Sequence, residues 1–111
     1  MKVTALAVLV AGISLASGLH GTVTRGPITP VCRVNVPCYA PAKEIPLSFV
    51  LGVHTYTTKT NSLGRYRIAL PPGTYTVLIA KKYGMSYRPR TVSVPKGLFA
   101  LSNIAIDTGI R

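Results

Sequence analysis

Acidic residues are nearly absent from this chain of 111 residues: Glu44 and Asp107 stand against 13 lysines and arginines, and the formal net charge is +11. A general acid and its base must converge in one cleft, and two carboxylates so far apart in the sequence provide no local pair. Most of the cations must therefore lie in water or meet anions of another molecule. The charge allows nucleic acid, phospholipid headgroups, an anionic cell-wall polymer or an acidic protein as that partner, and it equally allows a solvated surface.

Histidines and cysteines are also few, namely His20, His54, Cys32 and Cys38. A serine or cysteine nucleophile needs an imidazole base, and neither histidine has a carboxylate near it in the sequence. A zinc site would need two further soft ligands, and the histidines have no ligand-like spacing to the cysteines. The cysteines do not form a C-x-x-C motif, which disfavours a redox role. We predict no catalytic residue, no metal site and no cofactor.

A hydrophobic run long enough to span a membrane is missing as well. The apolar stretch from Val3 to Ala16 has about 14 residues, whereas a membrane helix needs ~20. It follows Lys2, ends at small residues and has no polar face, which is typical of a secretory signal peptide. We predict a signal peptide at residues 1–18, with cleavage before Leu19 or alternatively after Ala16. The mature chain would be secreted, periplasmic or at the cell surface, with no stable membrane span.

Export gives the cysteine pair a structural role. Cys32 and Cys38 are six residues apart and are expected to form a disulfide in an oxidising compartment. Chain entropy gives a loop this short about 2 kcal/mol of stability. That amount is useful to a small domain with a thin core.

The mature chain shows short β-rich runs broken by proline and glycine, and no convincing helical period. This pattern is typical of a sandwich or barrel. We predict seven strands, at residues 19–25, 45–53, 54–60, 65–70, 74–80, 91–94 and 98–106. Residues 26–42 hold four of the nine prolines and are predicted to form a long loop, and residues 81–89 a second loop with Gly84 at its tip.

Alternation assigns faces to the central strands. Residues 65–70 place Tyr66, Ile68 and Leu70 inward, with Arg65 and Arg67 toward solvent. Residues 45–51 place alternate apolar side chains on one face, namely Ile45, Leu47, Phe49 and Leu51. Residues 74–80 are apolar on both faces and are predicted to form a central strand. Turns at Asn61–Gly64 and Pro71–Gly73 predict that residues 65–70 and 74–80 pair as a hairpin.

The run from Thr60 to Val77 resembles the signature of carboxypeptidase regulatory-like domains, T-x-x-x-G-x-F/Y-x-F/I/L-x-L-P-x-G-x-Y-x-V/L. The proline- and cysteine-containing loop and the ending at residues 107–111 are similar to those of small secreted bacterial proteins with this domain. The resemblance covers nearly all of residues 19–111. It implies an all-β, seven-stranded Greek-key sandwich of the prealbumin (transthyretin-like) type.

We therefore predict a non-catalytic secreted module, structural or adhesive, that contacts anionic envelope or extracellular material. Its partner would be an anionic cell-envelope polymer, a carbohydrate or another surface protein, and export argues against nucleic acid. The alternative is an enzyme like the transthyretin-related hydroxyisourate hydrolases. Those end in Tyr-Arg-Gly-Ser, whereas this chain ends in Gly109-Ile110-Arg111, which disfavours that activity. The candidate polyanion-binding residues are Arg65, Arg67, Lys81, Lys82, Tyr83, Tyr87, Arg88 and Arg90; an ordinary solvated loop is the alternative for them.

Overall fold

A computed structural model describes residues 16–28, 31–32, 35 and 37–109, and it shows two β-sheets packed together. The described residues form ten strands and one turn of 3₁₀ helix at Lys81–Tyr83. The strands are β1 Gly18–Gly26, β2 Ala40–Pro41, β3 Pro46–Leu51, β4 His54–Lys59, β5 Arg65–Ala69, β6 Gly73–Leu78, β7 Ser86–Arg88, β8 Thr91–Val94, β9 Phe99–Leu101 and β10 Ile104–Asp107. The predicted all-β sandwich is confirmed.

The first strand organises the larger sheet. Its first half pairs with β5 along one edge, antiparallel, and with β9 along the other, parallel. Its second half pairs with β2 and, in parallel, with β10, and β7 adds to the free edge of β10. The smaller sheet is antiparallel throughout, in the order β4-β3-β6-β8.

The core lies between the two sheets and follows the predicted alternation. Tyr66 and Leu70 are buried while Arg65 and Arg67 are exposed. The rings of Phe49, from the smaller sheet, and Tyr66, from the larger, lie 6.0 Å apart between centroids. The buried hydrophobic side chains are Leu19, Val23, Ala42, Ile45, Leu47, Phe49, Tyr66, Leu70, Tyr75, Val77, Val92, Val94, Ile104 and Ile106.

The predicted hairpin between residues 65–70 and 74–80 is wrong, because β5 and β6 lie in different sheets. Pro71 and Pro72 separate them, and two consecutive prolines offer no N–H donor to a hairpin ladder. The end of β5 is held instead by the Leu70 N–H, which donates to the Ser17 carbonyl over 3.0 Å. The Tyr75 hydroxyl donates to the Pro71 carbonyl over 2.6 Å and so fixes the start of β6.

The central position of β6 is confirmed, since it pairs with both β3 and β8. The argument for that position, that both faces of residues 74–80 are apolar and buried, was wrong, because Leu78 points outward and is 47% exposed. Pro46 begins β3 where only β4 pairs with it, since β6 reaches β3 no further than Ser48. The missing donor of the proline therefore interrupts no ladder.

Three predicted segments are subdivided by the structure. The closing strand at residues 98–106 is interrupted at Ser102–Asn103, which separates β9 from β10. The predicted loops at 26–42 and 81–89 contain β2 and β7, so the strand number differs from seven. Gly84 is not at an exposed tip: it is half-buried, and a Cβ there would collide with Ile106 and the Asp107 carbonyl.

The chain crosses from β4 to β5, between the sheets, through the predicted turn at Asn61–Gly64. The Asn61 side chain accepts from the N–H groups of Leu63 and Arg65, at 2.8 and 3.0 Å. Gly64 has φ +75°, and a Cβ there would lie 2.6 Å from the Val23 carbonyl oxygen. Both the positive φ and the close approach require glycine.

The Cys32–Cys38 disulfide is present, with a Cα–Cα distance of 5.4 Å. Residues 1–15 of the predicted signal peptide lie outside the described residues. The first described strand begins at Gly18, one residue before the predicted start of the domain at Leu19. Within the described part of the chain, no helix is both long and apolar enough to cross a membrane.

Candidate functional site

Arg65 and Arg67 lie on the outer face of the larger sheet, on β5. They are in register with Thr22 and His20 of β1. The Arg67 guanidinium carbon lies 3.8 Å from the ring centroid of Phe99, a cation–π contact across the sheet. These two arginines are on the opposite edge of the larger sheet from β7, with β1 and β10 between them.

A second group of cations lines an open cleft at one end of the sandwich, here called the end cleft. Its volume is about 580 Å³, and it is lined by Arg25, Lys81, Lys82, Tyr83, Gly84, Met85 and Thr108. Three of these seven residues are cationic and none carries a carboxyl group. Charges of one sign around a concave surface raise the local concentration of anions.

Backbone contacts build one wall of the end cleft. The 3₁₀ turn carries Lys81 and Lys82 and is closed by the Gly84 N–H, which donates to the Lys81 carbonyl over 3.1 Å. The Met85 N–H then donates to the Asp107 carbonyl over 2.6 Å, which ties this segment to β10. Because Gly84 has no side chain, the segment can approach β10 closely.

The opposite wall comes from the ends of β1 and β10. Arg25 is exposed near the end of β1, in register with Ile106. Thr108 follows β10; its N–H donates to the Gly26 carbonyl over 3.0 Å and its hydroxyl to the Pro27 carbonyl over 2.6 Å. Both walls are therefore anchored through the main chain, while the cationic side chains extend into water.

A neighbouring cleft of about 380 Å³ lies beside the same strand ends and has mixed charge. Its lining residues are Gly26, Pro27, Tyr39, Ser86, Tyr87, Arg88, Ala105, Ile106 and Asp107. The Tyr87 hydroxyl donates to the Val77 carbonyl over 2.7 Å, and the Arg90 guanidinium lies 4.9 Å from the Tyr87 ring centroid. Tyr87 thus bridges the two sheets and supports Arg90 on its ring.

The structure divides the predicted patch. Five of the eight predicted residues line the two clefts, namely Lys81, Lys82, Tyr83, Tyr87 and Arg88. Arg90 lines neither cleft and lies over the Tyr87 ring, and Arg65 and Arg67 lie across the sheet. Sequence reasoning missed Arg25 and Thr108, which are far from residues 81–90 in the chain. The signal that could have identified Arg25 is its position, because it is the lysine or arginine at the end of a strand that otherwise carries no lysine, arginine or acidic residue.

The outer face of the smaller sheet differs sharply from these surfaces. It carries seven hydroxyl side chains, from Ser48, Thr55, Thr57, Thr74, Thr76, Thr91 and Ser93. Lys59 is the cation of this face within the described strands, and its ammonium nitrogen lies 3.9 Å from a carboxylate oxygen of Glu44. The positive charge is therefore distributed unevenly over the sandwich.

The residues with acid–base chemistry do not gather in one place. His20 lies on β1 of the larger sheet, and His54 is exposed at the start of β4 in the smaller one. Burial raises the pKa of Tyr66 above its ordinary value, although its hydrogen bond to Ser102 opposes the shift. Burial, and then the nearby Tyr56, raise the pKa of Tyr75. Among the described residues, no group of three or more metal-ligating side chains occurs.

Comparison with known proteins identified no relative. No protein family, no curated protein and no solved structure matches the chain.

Proposed function

We propose that the processed chain is a non-catalytic secreted module, structural or adhesive, that contacts an anionic polymer of the cell envelope or the extracellular space. Loss of Lys2 with the signal peptide leaves 12 cations and two acids, a net charge of +10. The observation that carries the proposal is the end cleft, where three cations from two separate parts of the chain line one concave surface. Such a surface attracts anionic groups more strongly than scattered exposed charges do.

The uneven placement of charge supports a directional contact. The hydroxyl-rich outer face of the smaller sheet gives an anionic polymer little to bind, whereas the clefts and β5 present arginines and lysines. Long cationic side chains beside Tyr83 and Tyr87 combine charge with rigid aromatic surface, which suits a sugar-phosphate or sulfated chain.

We also infer that the fold belongs with the carboxypeptidase regulatory-like domains that the run from Thr60 to Val77 resembles. The supporting observation is that the motif positions have structural roles in this chain. Thr60 bridges two backbone groups, Gly64 takes a positive φ, and the hydroxyls of Tyr66 and Tyr75 donate to main-chain carbonyls.

Salt-dependent binding tests the proposed function. The processed protein is expected to bind immobilised poly(glycerol phosphate) and heparin at 50 mM NaCl and to lose most of that binding by 300 mM, because ionic contacts release counterions. Neutral dextran is the control polymer. Lys59→Gln is the control variant, since Lys59 lies on the opposite sheet beside Glu44 and should bind nearly as the wild type does. Binding that persists at high salt, or equal binding to dextran, would contradict an ionic contact.

A further inference from the structure

We propose that the end cleft is a subsite for a single phosphate or sulfate group, held between Arg25 on one wall and Lys81 and Lys82 on the other. This inference rests on the proposed function and adds to it the chemical class of the group and the place where it binds. The cleft volume of about 580 Å³ is far larger than one such group, so a segment of polymer chain fits around it.

The arrangement of the three cations favours a tetrahedral oxyanion. Arg25 comes from the end of β1, whereas Lys81 and Lys82 come from the 3₁₀ turn that follows β6. A phosphate or sulfate presents oxygens in several directions and can accept from a guanidinium on one side and an ammonium on the other. A carboxylate has two oxygens in one plane and suits a single arginine fork.

The carboxylate next to the end cleft in the chain, Asp107, lines the neighbouring cleft and accepts from the Gly109 N–H over 2.9 Å. The lining of the end cleft contains no carboxylate, and the ammonium nitrogen of Lys82 lies 5.2 Å from the centroid of the Tyr83 ring, beside the cleft. Arg65 and Arg67 provide a contrast, because they lie on a strand face and line neither of the two clefts. They add to the long-range attraction, whereas the end cleft adds a defined contact.

The test compares two double variants that lower the net charge equally. Lys81→Gln/Lys82→Gln alters the end cleft, and Arg65→Gln/Arg67→Gln alters β5; all four side chains are exposed, so both variants should fold. For poly(glycerol phosphate) and for heparin, the cleft variant is expected to weaken binding roughly tenfold and the β5 variant less than threefold. Polygalacturonate, a carboxylate polymer, is expected to bind the wild type more weakly than the phosphate and sulfate polymers do. Its affinity should fall only slightly, and by the same factor, with either variant.

A second measurement uses inorganic phosphate alone as the probe. Titration into the ¹⁵N-labelled processed protein should shift the amide signals of Lys82, Tyr83 and Thr108 and leave those of Arg65 and Arg67 in place. Sulfate should act similarly and acetate should not. Polymer binding with equal losses in both double variants, or unmoved cleft amides, overturns the subsite. Absence of polymer binding together with phosphate-induced shifts in the cleft would overturn the proposed function and leave the subsite standing.

A separate observation on β1 points to the processing site. We infer that the signal peptide is removed after Ala16, so that the mature chain begins at Ser17. The Ser17 hydroxyl donates to the Leu70 carbonyl over 2.6 Å, and the Ser17 carbonyl accepts from the Leu70 N–H over 3.0 Å. The Gly18 N–H donates to the Leu98 carbonyl over 3.2 Å.

Cleavage before Leu19 would remove all of these hydrogen bonds. It would also place the new charged amino group on Leu19, whose side chain is fully buried, within a strand that is paired on both edges. Desolvating a charge in that position is costly. Both candidate sites have small residues where signal peptidase reads them, Ser14 and Ala16 for one and Ala16 and Gly18 for the other, so the sequence alone leaves the choice open.

Ser14→Gln distinguishes the two sites. It places a large side chain at the third residue before the cut after Ala16, but it lies outside the positions read for a cut before Leu19. The variant is expected to lose the cut after Ala16 and either to accumulate as precursor or to be cut before Leu19 instead, whereas N-terminal sequencing of the exported wild type should begin at Ser17. Processing of the variant to an N-terminus at Ser17, a wild-type N-terminus at Leu19, or a retained leader on the exported wild type would each overturn the inference.

Discussion

Replacing Thr60 by valine tests the crossing between the two sheets. Thr60 is 2% exposed; its hydroxyl donates to the Ala42 carbonyl over 2.6 Å and accepts from the Ile45 N–H over 2.8 Å. Valine has the same shape and leaves both main-chain groups buried without these partners. At roughly 1–3 kcal/mol for each of the two unsatisfied groups, the loss should be about 2–6 kcal/mol. At about 4–8 °C for each kcal/mol in a domain of this size, the melting temperature should fall by at least roughly 8 °C.

Thermal and urea unfolding, followed by far-UV circular dichroism, measure the loss. Thr60→Ser keeps the hydroxyl and should cost only about 1 kcal/mol for the missing methyl group. Thr74→Val is the matched control, because Thr74 is exposed on the outer face of the smaller sheet and should change stability by less than about 0.5 kcal/mol. If Thr60→Val were as stable as Thr74→Val, the hydroxyl would not be holding this crossing.

Three further predictions concern the backbone, the disulfide and pH. Gly64→Ala should destabilise by roughly 2 kcal/mol or more in urea unfolding, whereas Gly52→Ala, with a similar positive φ of +60° but no atom within 4 Å of the added Cβ, should cost only about 1 kcal/mol. Cys32→Ser/Cys38→Ser should lower the free energy of unfolding by about 2 kcal/mol, and reduction of the wild type should lower it by the same amount; a change below about 0.5 kcal/mol would contradict the loop-entropy argument. Burial raises the pKa of Tyr75 in the folded state, so the contribution of its hydroxyl to the free energy of unfolding is fully present below the unfolded pKa of about 10 and is lost as pH rises through the folded pKa. Tyr75→Phe should therefore lose less stability than the wild type between pH 9 and pH 11. An unchanged slope of stability against pH would refute that assignment.

Local pattern was sufficient for the faces of the strands. In β5 the arginines alternate with buried side chains, and in β3 Leu47 and Phe49 point to the core as expected. Period-two alternation depends only on the geometry of an extended chain, so it can be predicted without the partner strand. Turn positions followed in the same way, because the positive φ of Gly64 is a local demand on the backbone.

Strand pairing could not be predicted in that way. Residues 65–70 and 74–80 are consecutive and separated by a short proline-containing connection, and they were expected to pair, yet they lie in different sheets. Whether a connection turns back or crosses between layers depends on which distant strands offer free edges. Here β5 pairs with β1 and β6 with β3, which are far away in the sequence.

The candidate site shows the same limit. Residues 81–90 were identified by their density of lysine, arginine and tyrosine, which is a property of one segment. Arg25 joins Lys81 and Lys82 only because β1 and β10 run in parallel and end beside the 3₁₀ turn. Arg65 and Arg67 resemble the other cations in sequence and are nevertheless on the far edge of the sheet.

The amino-acid order by itself determined that the described chain would be β-structured, which side chains of β3 and β5 would face the core, that Gly64 would be needed at its turn, and that the charge would be strongly positive. Each of these depends on steric and hydrophobic preferences that act over a few residues, or on simple composition. The tertiary structure alone decided which strands share a sheet and which cations share a cleft, because both depend on contacts between residues far apart in the chain.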